Sequence, residues 1–239
     1  MKTVLITGSN KGIGFHAAKK FSENGYNVII SGRNEARLAE ASGKLGGNIK
    51  YIVWDIADFG QNEKIIDNAH KYFGNIDVFV NNAGIVTDTT LSGSGITDET
   101  EASWNDTMGI NLTGTFFALQ AEIKYMIKNK IRGHIVNVCS EMAFRARADA
   151  YTISKWGVRG MIYGSALEAA PYGIIINGIA PGETATEILK QKENEPFKMK
   201  SPRGERAMPY EIAADIFHLA ESKNIIGGIL NSDGGRSLY

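Results

Sequence analysis

The stretch "TVLITGSNKGIGFHAAKKF", residues 3–21, decides how the rest of the chain reads. It begins with an unbroken apolar run, Val4-Leu5-Ile6, between two threonines. A short aliphatic run of this kind suits a strand covered on both faces of a parallel sheet. Glycines then stand at 8, 12 and 14, and a helix candidate covers residues 12–24. The order is therefore strand, glycine turn, helix. Without a Cβ, the backbone of such a turn bends tightly and lets a pyrophosphate approach. The helix that follows presents free N–H groups and the positive end of its dipole to those phosphates. Gly8, Ser9, Asn10, Lys11, Gly12, Ile13 and Gly14 are accordingly candidate dinucleotide contacts. The spacing is G-x-x-x-G-x-G. It is not G-x-G-x-x-G, and no G-K-[ST] follows to make a Walker loop. Three glycines also suit a purely structural bend; their place in the first βα unit favours the cofactor.

Outward from this unit the pattern repeats. Apolar runs recur at 27–31, 49–54, 76–80, 134–138, 173–179 and 227–231, most of them rich in Val and Ile. Helix candidates lie between them at 34–45, 61–73, 101–130, 150–170 and 210–222. Strands alternating with helix-length segments predict repeated βαβ units. Right-handed crossovers turn these into a Rossmann-like, doubly wound parallel sheet of seven strands with helices on both faces. By analogy with such folds the expected order is 3-2-1-4-5-6-7. No linker or repeat divides the chain, so residues 1–239 are expected to form one dinucleotide-binding and catalytic domain. Two polar segments, 85–100 and 183–209, follow the C-terminal ends of expected strands. Ligands bind at those ends in open α/β sheets, so both segments are candidates to close over a site.

Composition narrows the function. The chain carries 26 basic and 26 acidic residues, so no net charge draws it to nucleic acid or an anionic membrane. Its one cysteine, Cys139, allows no internal disulfide and no cysteine cluster for a metal. The N-terminal apolar run is too short for a signal peptide or a membrane span. A soluble, cytoplasmic protein without a bound metal is the expectation.

The end of the second strand bears on the choice of dinucleotide. A carboxylate there would hold the adenosine ribose and repel a 2′-phosphate. The chain reads "SGRNEAR" over 31–37, with Arg33 and no carboxylate before Glu35. Arg33 can form a charge-assisted fork to phosphate, and Lys11 can add a second cation. A helix start disfavours a cation without an anionic partner. NADP(H) is therefore favoured, with NAD(H) as the alternative. After the third strand, "WDIAD" offers Asp55 to an adenine amino group and Ile56 to cover the ring; Asp55 serves equally as a helix cap.

With the glycine turn, "NNAG" at 81–84 and "YTISK" at 151–155, the chain resembles a compact short-chain dehydrogenase/reductase. The resemblance runs from residue 3 to about residue 235, where "NSDGG" resembles the family's closing segment. It implies that Tyr151 is the general acid in reduction and the base in oxidation. It implies that Lys155, one helical turn away, favours the phenolate and hydrogen-bonds the nicotinamide ribose. Ser140 would hold and polarise the substrate oxygen. Asn111, in "GINLTG", would hold a water that links Lys155 to solvent. Asn81, Ala83 and Gly84 would pass under the adenosine. Pro181 and Gly182 would shape a turn from which Thr184 and Thr186 reach the nicotinamide end. A small-molecule carbonyl or alcohol substrate and a homotetramer or homodimer are implied as well.

The serine-to-tyrosine gap departs from many relatives. It is shorter and lacks glycine, reading "EMAFRARADA". Met142 and Phe144 are candidates for an apolar wall. Arg145 and Arg147 would meet an anionic substrate group or point to solvent, and Glu141 would reject anions. A 3-oxoacyl-carrier-protein reductase is the second enzymatic reading. Lys128, Lys130 and Arg132 suit its acidic carrier, but Tyr172 stands where a cation is expected. The third reading is a nucleotide-binding regulator without turnover.

Overall fold

The computed structural model of the chain describes residues 1–93, 95–187 and 201–238. About half of the expected 183–209 segment, residues 188–200, lies outside the described residues. The seven strands are β1 (Thr3–Ile6), β2 (Asn27–Gly32), β3 (Ile49–Val53), β4 (Val78–Asn81), β5 (His134–Val138), β6 (Ile175–Pro181) and β7 (Ile229–Ser232). They form one parallel sheet in the order β3-β2-β1-β4-β5-β6-β7. This is the Rossmann-like, doubly wound arrangement expected from the alternation of runs.

Strand pleating divides the core into two layers. Val4 and Ile6 of β1, with Val28, Ile30, Val78 and Val80, face one side. There they meet α1 (Gly12–Glu23), α2 (Glu35–Leu45) and α8 (Pro209–Glu221) through Ala17, Ala18, Phe21, Leu38, Ile212 and Ile216. Leu5, Ile29, Phe79 and Ile135 face the other side. There they meet α3 (Asn62–Phe73), α6 (Thr115–Lys128) and α7 (Ala150–Ala169) through Ile66, Ala118, Leu119 and Ala166. Each fully buried Val, Leu, Ile or Phe among them contributes roughly 1.5–3 kcal/mol. The outermost strands β3 and β7 are only partly covered, so they depart from the two-faced burial of the inner ones.

The expected 101–130 helix is divided. It runs as α5 (Glu101–Met108), a π-helical turn at Gly109–Gly114, and α6, with a short α4 (Asp88–Leu91) ahead of it. Packing explains the wide turn. A Cβ on Gly114 would lie 2.5 Å from the Ile56 carbonyl oxygen, so the backbone comes close to the loop after β3. Asn111, inside the turn, binds the Ile85 backbone twice: Ile85 N–H donates to Oδ1 at 2.8 Å, and Nδ2 donates to the Ile85 carbonyl at 2.9 Å.

Candidate active site

The C-terminal ends of β1 to β6 open into a cleft of about 820 Å³. The glycine turn forms its floor at one end. Gly8 has φ +62°, and a Cβ there would sit 2.9 Å from Ala83 Cα. A Cβ on Gly14 would sit 2.6 Å from both the Gly8 carbonyl oxygen and Asn82 Nδ2. Asn82 fastens the turn by donating to the carbonyls of Thr7 at 2.8 Å and Gly8 at 3.1 Å. No side chain caps the start of α1, so its first turn faces the cleft ready for an anion. A close-packed glycine cradle at an uncapped helix start fits the pyrophosphate of a dinucleotide.

Asn10, Lys11, Gly12 and Ile13 border this end of the cleft. Ser9 does not. It is fully buried, its hydroxyl donates to the Ile6 carbonyl at 2.7 Å, and it accepts from Ser31 N–H at 2.9 Å, so it ties β1 to β2. Arg33 borders the cleft, joined by Arg37 one helical turn on. Asn34 caps α2 by accepting from Arg37 N–H at 3.0 Å, which places both arginines at the helix start. Neither has an ion pair among the described residues. Lys11, expected to be the second cation, borders the cleft and makes an exposed pair with Glu187 at 2.9 Å. Asp55 borders the cleft and accepts from Ala57 N–H at 3.1 Å within the loop; it caps no helix, since Asp58 and Gln61 stand at the following helix starts. Ile56 and Ala83 line the same stretch. Asn81 lies behind the wall, where its Nδ2 donates to the Thr115 carbonyl at 2.9 Å and to Asn137 Oδ1 at 3.2 Å.

At the other end Ser140, Tyr151 and Lys155 meet. The Ser140 side chain neighbours the Tyr151 hydroxyl, while its own Oγ accepts from Met142 N–H at 3.2 Å. Lys155 Nζ lies 5.7 Å from the Tyr151 ring centroid and donates to the Val138 carbonyl at 3.1 Å. Gly84 lies over this lysine; a Cβ there would stand 3.8 Å from Nζ and 3.3 Å from Asn111 Oδ1. Asn111 is thus beside the group without lining the cleft, and its side chain is committed to Ile85. Burial pushes Tyr151 up to about 12, with the neighbouring Ser140 acting the other way. Burial also pushes Lys155 down. Within the chain burial therefore outweighs the neighbouring groups at the phenol.

The short serine-to-tyrosine gap is closed by a 3-10 turn at Glu141–Phe144. Trp156 Nε1 donates to the Arg145 carbonyl at 3.1 Å, and Arg159 Nη1 donates to the Ala143 carbonyl at 3.2 Å. Asp149 caps α7 by accepting from Thr152 N–H at 3.0 Å, which starts the helix one residue before Tyr151. Past β6, Pro181, Gly182, Thr184 and Thr186 border the cleft. Thr184 donates to the Gly182 carbonyl at 3.0 Å, and Thr186 to the Thr184 carbonyl at 3.3 Å.

The arginines of the gap are paired inward. Arg145 meets Glu141 at 3.3 Å and Arg147 meets Asp149 at 3.1 Å. Two cleft residues gave no local signal in sequence. Arg236, beyond β7, reaches Glu141 at 2.5 Å and Glu183 at 3.1 Å. Arg37 was legible only as an i,i+4 partner of Arg33 once the helix start was known.

A family model described as short chain dehydrogenase matches residues 2–196. The chain belongs to the short-chain dehydrogenase/reductase family. It is thereby an oxidoreductase of a family that binds nicotinamide cofactors. Glucose 1-dehydrogenase 2 of Bacillus subtilis (strain 168) is 31% identical over 250 residues, covering 100% of this chain and 95% of the relative. The 3-oxoacyl-[acyl-carrier-protein] reductase FabG of Thermotoga maritima is 35% identical over 244 residues, covering 98% and 97%. Among solved structures, ElxO with NADP bound superposes with a TM-score of 0.88 at 32% identity, covering 100% of this chain and 99% of that one. No helix among the described residues is long and apolar enough to cross a membrane.

Proposed function

We propose that this short-chain dehydrogenase/reductase uses NADP(H) to interconvert an uncharged carbonyl compound and its secondary alcohol, with Tyr151 as the acid and base. The observation that carries the reading is the meeting of Ser140, Tyr151 and Lys155 in the cleft, with Lys155 Nζ 5.7 Å from the Tyr151 ring centroid. It lies at the far end of a cleft that starts in the glycine cradle. When bound, the nicotinamide supplies or accepts the hydride. In reduction the Tyr151 hydroxyl gives its proton to the carbonyl oxygen, and Ser140 donates a hydrogen bond to that oxygen. A phenol pushed up to about 12 is protonated at neutral pH, the form that reduction needs. In oxidation the Lys155 ammonium favours the phenolate. Lys155 would also hold the ribose, and a water beside Asn111 would resupply its proton. Thr184 and Thr186 would accept from the carboxamide end, and Ala83, against Gly8, and Gly84, beside Lys155, would line the path of the cofactor between the two ends. Arg33 and Arg37 hold the 2′-phosphate.

Charge balance supports an uncharged substrate. Arg145, Arg147 and Arg236 are each matched by a carboxylate from Glu141, Asp149 or Glu183. The carrier-protein reductase reading has less support. Lys128, Lys130 and Arg132 are exposed where α6 leads into the N-terminal end of β5, and none borders the cleft. The exposed Trp156, Tyr163 and Leu167 of α7 and Phe116 of α6 suit a homo-oligomeric interface on these helices. Tyr151→Phe tests the assignment. Turnover of NADPH against a panel of ketones should fall at least about a thousandfold, with NADPH binding retained. Substantial residual turnover would remove Tyr151 from this role.

A further inference from the structure

We infer that Arg236 is a positioning residue of the active site, clamping Glu141 so that the adjoining Ser140 and the Tyr151 hydroxyl keep their working geometry and charge. The inference rests on Tyr151 being the acid and base. Arg236 lies in a 3-10 turn, Arg236–Leu238, at the end of the chain, far in sequence from every other group of the site. Asp233 holds that turn in place, accepting from Gly235 N–H at 2.9 Å and Ser237 N–H at 2.7 Å. Gly182 packs against Asp233 so tightly that a Cβ on it would lie 2.8 Å from Asp233 Cα. From this base the guanidinium reaches Glu141 Oε1 at 2.5 Å and Glu183 Oε1 at 3.1 Å. Arg145 takes the other Glu141 oxygen at 3.3 Å and also donates to the Arg236 carbonyl. One cation thus joins the turn after β5, the turn after β6 and the turn after β7.

Glu141 is the reason such a clamp is needed. It follows Ser140 directly and is only 3% exposed. Burial pushes its carboxyl up and nearby Asp233 adds to that, while Arg236 and Arg145 pull it down. Without Arg236 a buried carboxylate beside the Ser140–Tyr151 pair would lose its closest counter-charge. The charged and titratable groups facing Tyr151 are Ser140, Cys139, Glu141, Asp149 and Lys155, with Arg147 held by Asp149. Of these, Cys139, Glu141 and Asp149 oppose the phenolate. Arg236 offsets Glu141 as Arg147 offsets Asp149.

The test is the pH dependence of kcat for alcohol oxidation in Arg236→Gln, Glu141→Gln and the double variant. Arg236→Gln should lower kcat about tenfold and move the limb for Tyr151 ionisation up by about one pH unit, with NADPH affinity retained. Glu141→Gln alone should move the limb down. The double variant should return towards the parent, because the clamp has no purpose without the carboxylate. A parental limb in Arg236→Gln, or no recovery in the double variant, overturns the inference. Should Arg236→Gln fail to fold, Glu141→Gln decides alone, an unmoved limb counting against the proposal. Tyr151→Phe, assayed in parallel, separates failure of the clamp from failure of the acid–base assignment. If that variant turns over, the underlying assignment has failed, whatever Arg236 does.

Discussion

Replacing Arg33 and Arg37 by alanine, singly and together, separates the 2′-phosphate reading from every other source of cofactor affinity. Both guanidiniums border the cleft where β2 passes into α2, and neither is paired among the described residues. A hydrogen bond to a charged group contributes roughly 1.5–3 kcal/mol, and exposure to solvent and salt brings it to the lower end. Each single substitution should then weaken NADPH by about 1.4 kcal/mol, about tenfold in Kd. Two arginines on one phosphate share it, so the double variant should lose between about tenfold and a hundredfold rather than the full product. NADH has no 2′-phosphate and serves as the internal control; its Kd should change by less than about twofold. Titration of cofactor fluorescence with both nucleotides reads all of this, and repetition at higher salt should shrink the NADPH effect alone. Equal weakening of NADH and NADPH would refute the reasoning, since it would mean that the arginines act on the fold or the pyrophosphate. A parent that prefers NADH would refute it as well.

Two further outcomes follow from packing and burial. Gly14→Ala places a Cβ 2.6 Å from the Gly8 carbonyl and 2.8 Å from Ser9 Cα, both backbone atoms that cannot swing away. It should destabilise the chain by about 1–3 kcal/mol and abolish tight NADPH binding; an unchanged Tm would show that α1 is not seated as described. Glu122 is fully buried on α6, and burial pushes its carboxyl up. His70 Nδ1 accepts from Ile76 N–H at 3.1 Å, so Nε2 carries the proton and donates to Glu122 across 3.2 Å. A carboxyl raised in the folded state stabilises it fully below the unfolded pKa, and that stability is lost as pH rises through the folded value. Glu122→Gln keeps the acceptor for His70 without the charge. It should raise Tm at pH 7.5, with the difference closing towards pH 4; a lowered Tm at pH 7.5 would contradict this.

Much of this protein was legible in the residues themselves. The apolar runs of Val and Ile gave the strands because a two-faced strand needs no polar alternation. Gly8 and Gly14 marked the cradle because no side chain fits where Ala83 and Asn82 approach. Tyr151 and Lys155 share a helix face by spacing alone, and Ser140 stands at the end of a strand whose position the pattern fixes. These are local consequences of sterics and periodicity. The roles of the polar groups were not local. Lys11 pairs with Glu187, 176 residues away, and Arg236 finds Glu141 across 95 residues. Asn111 and Asn81, read as site groups, commit their side chains to backbone and core partners brought up by other elements. A charge or amide takes whatever partner the folded chain puts within about 3 Å, and its own neighbours in sequence carry no record of that partner. The chain alone therefore determined the sheet, the cradle and the Ser140, Tyr151 and Lys155 positions. The tertiary structure decided which cations remain to face the cleft and which are neutralised within the protein, because ion pairing depends on distances that only long-range packing sets.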